Sequence, residues 1–293
     1  MLAKFAWFYC AYLIFVILFG AWVRISGSGA GCGNHWPTCE GEVIPTALSV
    51  EKTIEFTHRL TSGLSGFLGI GLLVAAWRTP ARKWAIASFV FLLIEAFIGA
   101  VLVKKELVAG DTSTSRAIVI ALHLANTLAL MFCTVAAAIR SAAPATLLSG
   151  LGRGPLVWAL TAVVLTSMTG AITALGDTLF PTQPALGPEL WAKVREDLRP
   201  VHHFLVRLRI VHPLVAMASA GYLLYLGTVL QRQNRNGWVV AALGMTLGQV
   251  ALGFLNILLA APPWMQIAHL ALGQGLWLVL VRLFFLLPAR RLA

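Results

Sequence analysis

Charge is scarce in this chain. Only 11% of its 293 residues are Asp, Glu, Lys or Arg, against about a quarter in an average globular domain. With 59% hydrophobic residues and a mean hydropathy of +0.83, polar surface is too sparse to coat a water-soluble fold of this size. A soluble enzyme or binding domain is thereby excluded, and an integral membrane protein is indicated. Acidic residues are scarcer still, 11 against 22 basic ones, for a formal net charge of +11. In a soluble protein that excess would point to nucleic acid. In a membrane protein basic residues gather in cytoplasmic loops, so no nucleic-acid partner is expected. Cysteine is also sparse. Cys10 and Cys133 lie in apolar runs and read as inert core thiols, which leaves Cys32 and Cys39 together in one polar loop. Short alternating-strand patterns are lacking, which argues against a transmembrane barrel.

What is present is a series of apolar runs of spanning length. Helices are expected near 5–25, 53–77, 84–103, 116–139, 155–176, 209–230, 237–258 and 264–287. The run from Phe5 to Val23 follows a single Lys4 and carries no cleavage-site pattern, so it reads as a retained first helix rather than a signal peptide. Eight spans bring both termini to one side. That side collects Lys4, Arg78, Arg82, Lys83, Arg140, Arg153, Arg232, Arg235, Arg282, Arg290 and Arg291, which is 11 basic residues and no acidic one. The other side holds the remaining 11 basic and all 11 acidic residues. The positive-inside rule then makes the termini cytoplasmic, in a multi-pass protein of the plasma membrane. Cys32 and Cys39 would face an oxidising compartment, where a disulfide becomes feasible. Closing so short a loop contributes about 2–3 kcal/mol at most.

The two halves resemble each other. One constant offset aligns His58 with His212, Arg78 with Arg232, Trp84 with Trp238, Leu93 with Leu247, Glu95 with Gln249 and Gly99 with Gly253. Slightly different offsets align His123-Leu124-Ala125 with His269-Leu270-Ala271, and Gly20-Ala21 with Gly170-Ala171. Four helices per half insert both halves the same way up. The expected architecture is therefore all-α, with two pseudo-symmetric four-helix bundles joined through segment 140–154.

Each half has a histidine in its second helix and another in its fourth: His58 and His123, then His212 and His269. All four fall roughly one to two turns from the outward end of their spans. A lone intramembrane histidine is often a helix-to-helix hydrogen bonder. Four at matched depth in related places suit axial ligation of haem iron by neutral imidazoles, two per bundle. Zinc usually draws in cysteine or carboxylate ligands at close spacing. His35 sits inside the cysteine loop, while His202 and His203 read as interfacial, one of them a competitor to His212.

Glu55 precedes His58 by three residues and shares its helix face. It reads either as a base or cation stabiliser beside a haem pocket or as the partner of Arg59. Glu95 lies deeper, where a carboxylate is costly unless paired. Its alignment with Gln249 points to inter-helix hydrogen bonding in both halves. Arg24, Arg59, Arg116, Arg207 and Arg209 cluster at outer helix ends, as interfacial anchors or as contacts for haem propionates. The long segment 177–208 carries Pro181, Pro184, Pro188, Pro200, Trp191 and the charged run Lys193–Arg199. A short surface helix covering the second site is expected there.

At this point the residues resemble a known family. The run Gly20-Ala-Trp-Val-Arg24-Ile-Ser-Gly-Ser-Gly29, followed by Cys32 and Cys39 with Trp36-Pro37 and Gly41, is similar to the first outer loop of haem A synthases. Ile54-Glu55-Phe-Thr-His58-Arg59 resembles that family's Glu-x-x-His-Arg signature. The resemblance covers essentially the whole chain and is looser in the second half. It implies an oxidoreductase that converts the C8 methyl of haem O to the formyl of haem A for a terminal oxidase. It further implies that residues 1–147 hold the substrate haem between His58 and His123, and that residues 148–293 hold a haem B cofactor between His212 and His269. Glu55 would take part in the reaction, and Cys32 and Cys39 would form the outer-loop disulfide. Haem O, the lipid bilayer, haem O synthase, an unspecified electron acceptor and a second copy of the chain are the candidate partners. Two departures stand out. Pro213 follows His212 where the family often has Arg, and the second outer-loop cysteine pair of some members is lacking.

Two other function classes compete. A dihaem electron-transfer cytochrome accounts for the histidines but leaves Glu55 and the cysteine loop without a task. A repeat-built transporter would break its helices at the midplane, whereas this chain gathers its polar residues near the outer edge.

Overall fold

The computed structural model describes residues 1–142, 148 and 151–288. Residues 143–147, 149 and 150 of the segment expected to join the halves lie outside the described residues, and with them one side of the expected boundary at 147–148, as do Arg290 and Arg291.

Helices α1 (Leu2–Ile25), α2 (Val50–Ala76), α3 (Arg82–Lys104), α4 (Thr114–Arg140) and α5 (Gly154–Leu179) are followed by a surface helix α6 (Pro188–Asp197) and a one-turn α7 (Phe204–Arg207). Then come α8 (Val211–Asn234), α9 (Gly237–Leu258) and α10 (Pro263–Leu286). A 3-10 turn, Leu208–Ile210, joins α7 to α8, so that the sixth span runs from Phe204 to Asn234. Among the described residues eight helices are long and apolar enough to cross a membrane, and no strand is found. The expected ends fall within about a turn of these, except that the α8 span is longer at both ends.

Local chemistry sets the starts. The side chains of Ser49, Ser113 and Asn236 accept the backbone N–H of Lys52, Arg116 and Trp238 at 3.2, 3.1 and 2.8 Å. Each satisfies a donor that the first turn leaves free. Pro155 and Pro263 occupy first-turn positions of α5 and α10, where their missing donor costs nothing.

Helices α1–α4 form one four-helix ring, with α4 closing on α1; α5, α8, α9 and α10 form a second in the same order. The rings meet through α1 and α4 on one side and α5 and α10 on the other. Burial identifies the central pair. In their most apolar windows 44% of α4 and 50% of α10 residues are buried, against 11% in α3 and α5. Leu128, Met131 and Val135 of α4 belong with Leu276, Leu280 and Leu283 of α10 to a single apolar cluster. Trp277 Nε1 donates to Leu128 O across that seam at 3.0 Å. The packed core thus fills the half of the molecule nearer the termini. At the opposite, loop-bearing end the apolar cluster is small, built on Ala117, Leu175 and Leu205, and the candidate site residues lie in that half.

Candidate functional site

Each of the four histidines sits about two turns in from the loop end of its span. His58 on α2 and His123 on α4 come from diagonally opposed helices of the first ring, close enough for a charge on one to be felt by the other. His212 on α8 and His269 on α10 are related in the same way in the second. All four are half-buried. Three of the rings lie against bare backbone. A Cβ at Gly20 would stand 3.1 Å from His58 Cε1, one at Gly170 3.0 Å from His212 Cε1, and one at Gly253 3.3 Å from His269 Cε1. Such separations are tighter than ordinary van der Waals contact, so glycine is what lets the helix approach the imidazole. His123 is the exception. A Cβ at Gly99 would meet nothing within 4 Å, and the ring instead sets Nδ1 3.3 Å from Glu95 Oε1.

Two imidazoles per bundle on opposed helices, three of the four cradled by glycine, fit axial ligands of a flat macrocycle. Among the described residues the buried Nδ1 atoms of His58, His123 and His269 have no hydrogen-bond partner, while His212 Nδ1 faces Thr166 O at 3.1 Å and Thr169 Oγ1 at 3.3 Å. Among the described residues no three of His, Cys, Asp and Glu converge as a cluster for a bare metal ion.

One turn above His58, Glu55 is only 4% exposed. Its Oε2 accepts the Cys32 backbone N–H at 2.8 Å, and its Oε1 accepts Arg59 Nε at 3.1 Å as well as Arg59 Nη2. Arg59 Nη1 reaches on to His35 O at 2.6 Å and to Thr38 O. Cys32 and Cys39 are disulfide-bonded and fully buried. Gly31 presses so closely on α2 that a Cβ would come 2.6 Å from Glu51 C and Lys52 N. Lys52 Nζ closes the outer edge on Glu40 Oε2 at 2.7 Å. Glu55 is therefore both the partner of Arg59 and a buried carboxylate beside His58, and it fastens the cysteine loop to the helix.

The chain matches the cytochrome oxidase assembly protein family, COX15-CtaA, over residues 3–281. It belongs to that family. Two Thermus thermophilus proteins named Protoheme IX farnesyltransferase are 42% identical over 292 residues, which is 96% of this chain but 47% of theirs. Proteins named Heme A synthase from Bacillus cereus and Bacillus anthracis are 46% identical over 93 residues, 30% of each chain. The chain thus spans about half the length of the Thermus relatives it matches.

In this family member the candidate loop-end arginines other than Arg207 are engaged by protein groups. Arg24 Nη1 donates to Ala174 O at 2.7 Å and to Thr178 Oγ1, and its Nη2 donates to Gln266 Oε1 at 3.0 Å. Arg116 Nη1 binds Ala109 O and Asp111 O at 2.6 and 2.7 Å. Arg209 pairs with Asp177 at 2.9 Å and Asp197 at 3.6 Å, and donates to Gly176 O at 3.1 Å and to Phe180 O. Arg207 is exposed. His203 caps α7 by accepting the Leu205 N–H and stacks on Phe180, and His202 lies against Glu196 at 3.1 Å. Sequence reasoning missed Thr166, Thr169, Asn126, Thr127, Thr178 and Gln266. Their only signal is being polar in an apolar helix, which does not say which neighbour they face.

Proposed function

We propose that this protein is a haem A synthase, oxidising the C8 methyl group of haem O to a formyl group. The observation that carries the reading is a pair of histidines on opposed helices of each four-helix ring, in a chain of the cytochrome oxidase assembly family. In this reading residues 1–147 hold haem O between His58 and His123, and residues 148–293 hold haem B between His212 and His269. Bound there, haem B supplies the one-electron chemistry that no side chain of this chain offers. Gly20, Gly170 and Gly253 let helix backbone approach the rings and fix their planes. Buried Glu55, one turn from His58, offers negative charge to the substrate edge, where it stabilises positive charge developing at the methyl carbon or takes up its proton. The Cys32–Cys39 loop, held by Glu55 and Arg59, covers that edge against water. The guanidinium groups of Arg24, Arg59, Arg116, Arg207 and Arg209 at the same end of the bundles are the candidates for propionate contacts.

Charge supports a plasma-membrane orientation with cytoplasmic termini and the histidine layer toward the outer face. A relative named for protohaem farnesylation contains a stretch like this chain in about half its length. That supports haem O synthase as a neighbour that hands over its product.

The test is pigment extraction from membranes expressing the chain with a source of haem O. Haem A or its hydroxylated precursor is expected; unchanged haem O beside a fully loaded protein overturns the reading in favour of an electron-transfer cytochrome.

A further inference from the structure

The two bundles hold their histidines differently. In the second, the ring with a fixed Nδ1 partner is His212, and the partner is a main-chain carbonyl, Thr166 O, at 3.1 Å. In the first the group nearest a ring Nδ1 is a carboxylate, Glu95 Oε1, 3.3 Å from His123 Nδ1. This is ion-pair range, without the alignment of a formed hydrogen bond.

Glu95 is set up to serve that ring. It lies within α3 and its side chain is 20% exposed. Among the described residues its one ion-pair contact is with His123; no lysine or arginine pairs with it. A carboxylate inside a membrane span without such a partner is costly and marks function. Its remaining contacts come from the helix that carries His123. Asn126 Nδ2 donates to Oε2 and Thr127 Oγ1 to Oε1. Asn126 also reaches Phe91 O at 2.9 Å, and Thr127 reaches His123 O at 2.9 Å. The carboxylate is thereby locked in register with His123. The residue aligned with it on α9 is Gln249. The Gln249 Oε1 is buried without a partner, its amide nitrogen lies against Gly273, and His269 Nδ1 has no partner. Among the described residues, neither histidine of the second bundle therefore has a carboxylate paired with it.

We propose that Glu95 is a positioning residue for His123: it accepts the Nδ1–H of the imidazole, aims Nε2 at the bound iron, and makes the first-bundle site the lower-potential one of the two. The proposal rests on the reading that each histidine pair ligates haem. Metal-bound imidazoles usually donate their second N–H to a carboxylate or carbonyl, and the acceptor tunes ligand basicity. An anionic acceptor strengthens the ligand more than a neutral carbonyl and favours ferric over ferrous iron, which lowers the potential. The Glu/Gln difference between the halves thus gives two similar ligand pairs different redox poise, with iron easier to oxidise on the substrate side.

The test is a redox titration of the full chain, purified from cells supplied with haem O, followed by visible and electron paramagnetic resonance spectra. The first-bundle signal is assigned as the one lost in His123→Ala. Glu95→Gln is expected to raise that potential by at least about 59 mV, a tenfold change in the ferric-to-ferrous balance of a one-electron couple, and to leave the second signal in place. Two loaded sites with unchanged potentials in Glu95→Gln overturn the proposal. If Glu95→Gln does not retain the first haem, Glu95→Asp, which keeps the charge, is expected to restore it; failure to restore, with the second haem still bound, also overturns it. Failure of the underlying reading is distinct: His58→Ala and His123→Ala would then both leave every haem signal unaltered.

Discussion

At the residue scale, Glu55 is held from two directions, by the Cys32 backbone N–H and by the Arg59 guanidinium. Loss of the carboxylate therefore has a structural and a chemical consequence. Breaking a buried pair by removing one partner costs on the order of 3–5 kcal/mol, so Glu55→Gln alone does not isolate the chemistry. Arg59→Gln breaks the same pair and leaves the carboxylate. Glu55→Gln is expected to keep both haems and make no haem A, while Arg59→Gln retains measurable turnover in pigment extracts. Equal loss in the two variants would make Glu55 a structural clamp. The glycines give a cleaner comparison. Gly170→Ala sets a methyl 3.0 Å from His212 Cε1 and Gly20→Ala one 3.1 Å from His58 Cε1, whereas Gly99→Ala meets nothing within 4 Å. Alanine favours a helix by about 1 kcal/mol over glycine, so Gly99→Ala is expected to be neutral or stabilising. The other two should each shift or weaken one haem band, the second-bundle band for Gly170→Ala and the first-bundle band for Gly20→Ala. A shared effect on both bands would contradict the separate cradles. The histidines were legible in the sequence because a polar ring in an apolar run stands out and recurs. Asn126 and Thr127 were not, because their partner Glu95 lies on another helix and only packing brings them together.

At the element scale, hydropathy and length were enough to read the spans, because a lipid-facing helix must be apolar all along. The stretch between α5 and α8 was read only coarsely. A surface helix was expected and α6 is present, but the extension of the sixth span back to Phe204 was not foreseen. It arises because Leu205 and Val206 are buried and His203 caps the turn, while Arg209 ties α5, α6 and the start of α8 together through Asp177 and Asp197. Lys193 adds bonds to Thr182 Oγ1 at 2.7 Å and Gln183 O at 3.2 Å, and burial pushes its ammonium below the usual lysine range. Asp177→Asn removes the nearer counter-charge of Arg209, at a cost on the order of 2 kcal/mol. The expected result is faster protease cleavage within 180–203 and a weakened second-bundle haem signal, with the first-bundle signal unchanged. Cleavage at the unaltered rate would show that α6 is held by something other than this ion pair.

At the scale of the whole molecule, the two rings share a packed seam near the termini and a polar fastening at the loop end. The seam is apolar and rests on α4 and α10. The fastening is Arg24, which leaves α1 to bind two groups on α5 and one on α10. The sequence placed Arg24 at the loop end of α1 but did not show that it crosses between bundles, since Ala174, Thr178 and Gln266 are distant in the chain and come together only where the two rings meet. Arg24 stands between two accounts, a fastener between bundles and a contact for propionates, and Arg24→Met separates them. The thioether fills similar space and suits the membrane edge but donates no hydrogen bond. Three charge-assisted bonds disappear, each worth about 1.5–3 kcal/mol before the freed acceptors find other donors. If fastening is its task, the melting temperature of the purified protein in detergent falls by several degrees while both haem signals and their potentials are kept. If propionate binding is its task, one haem dissociates selectively and the protein emptied of haem melts as the unaltered empty protein does. The engagement of Arg24 by three protein acceptors favours the first outcome, and melting curves of the loaded and empty forms decide it.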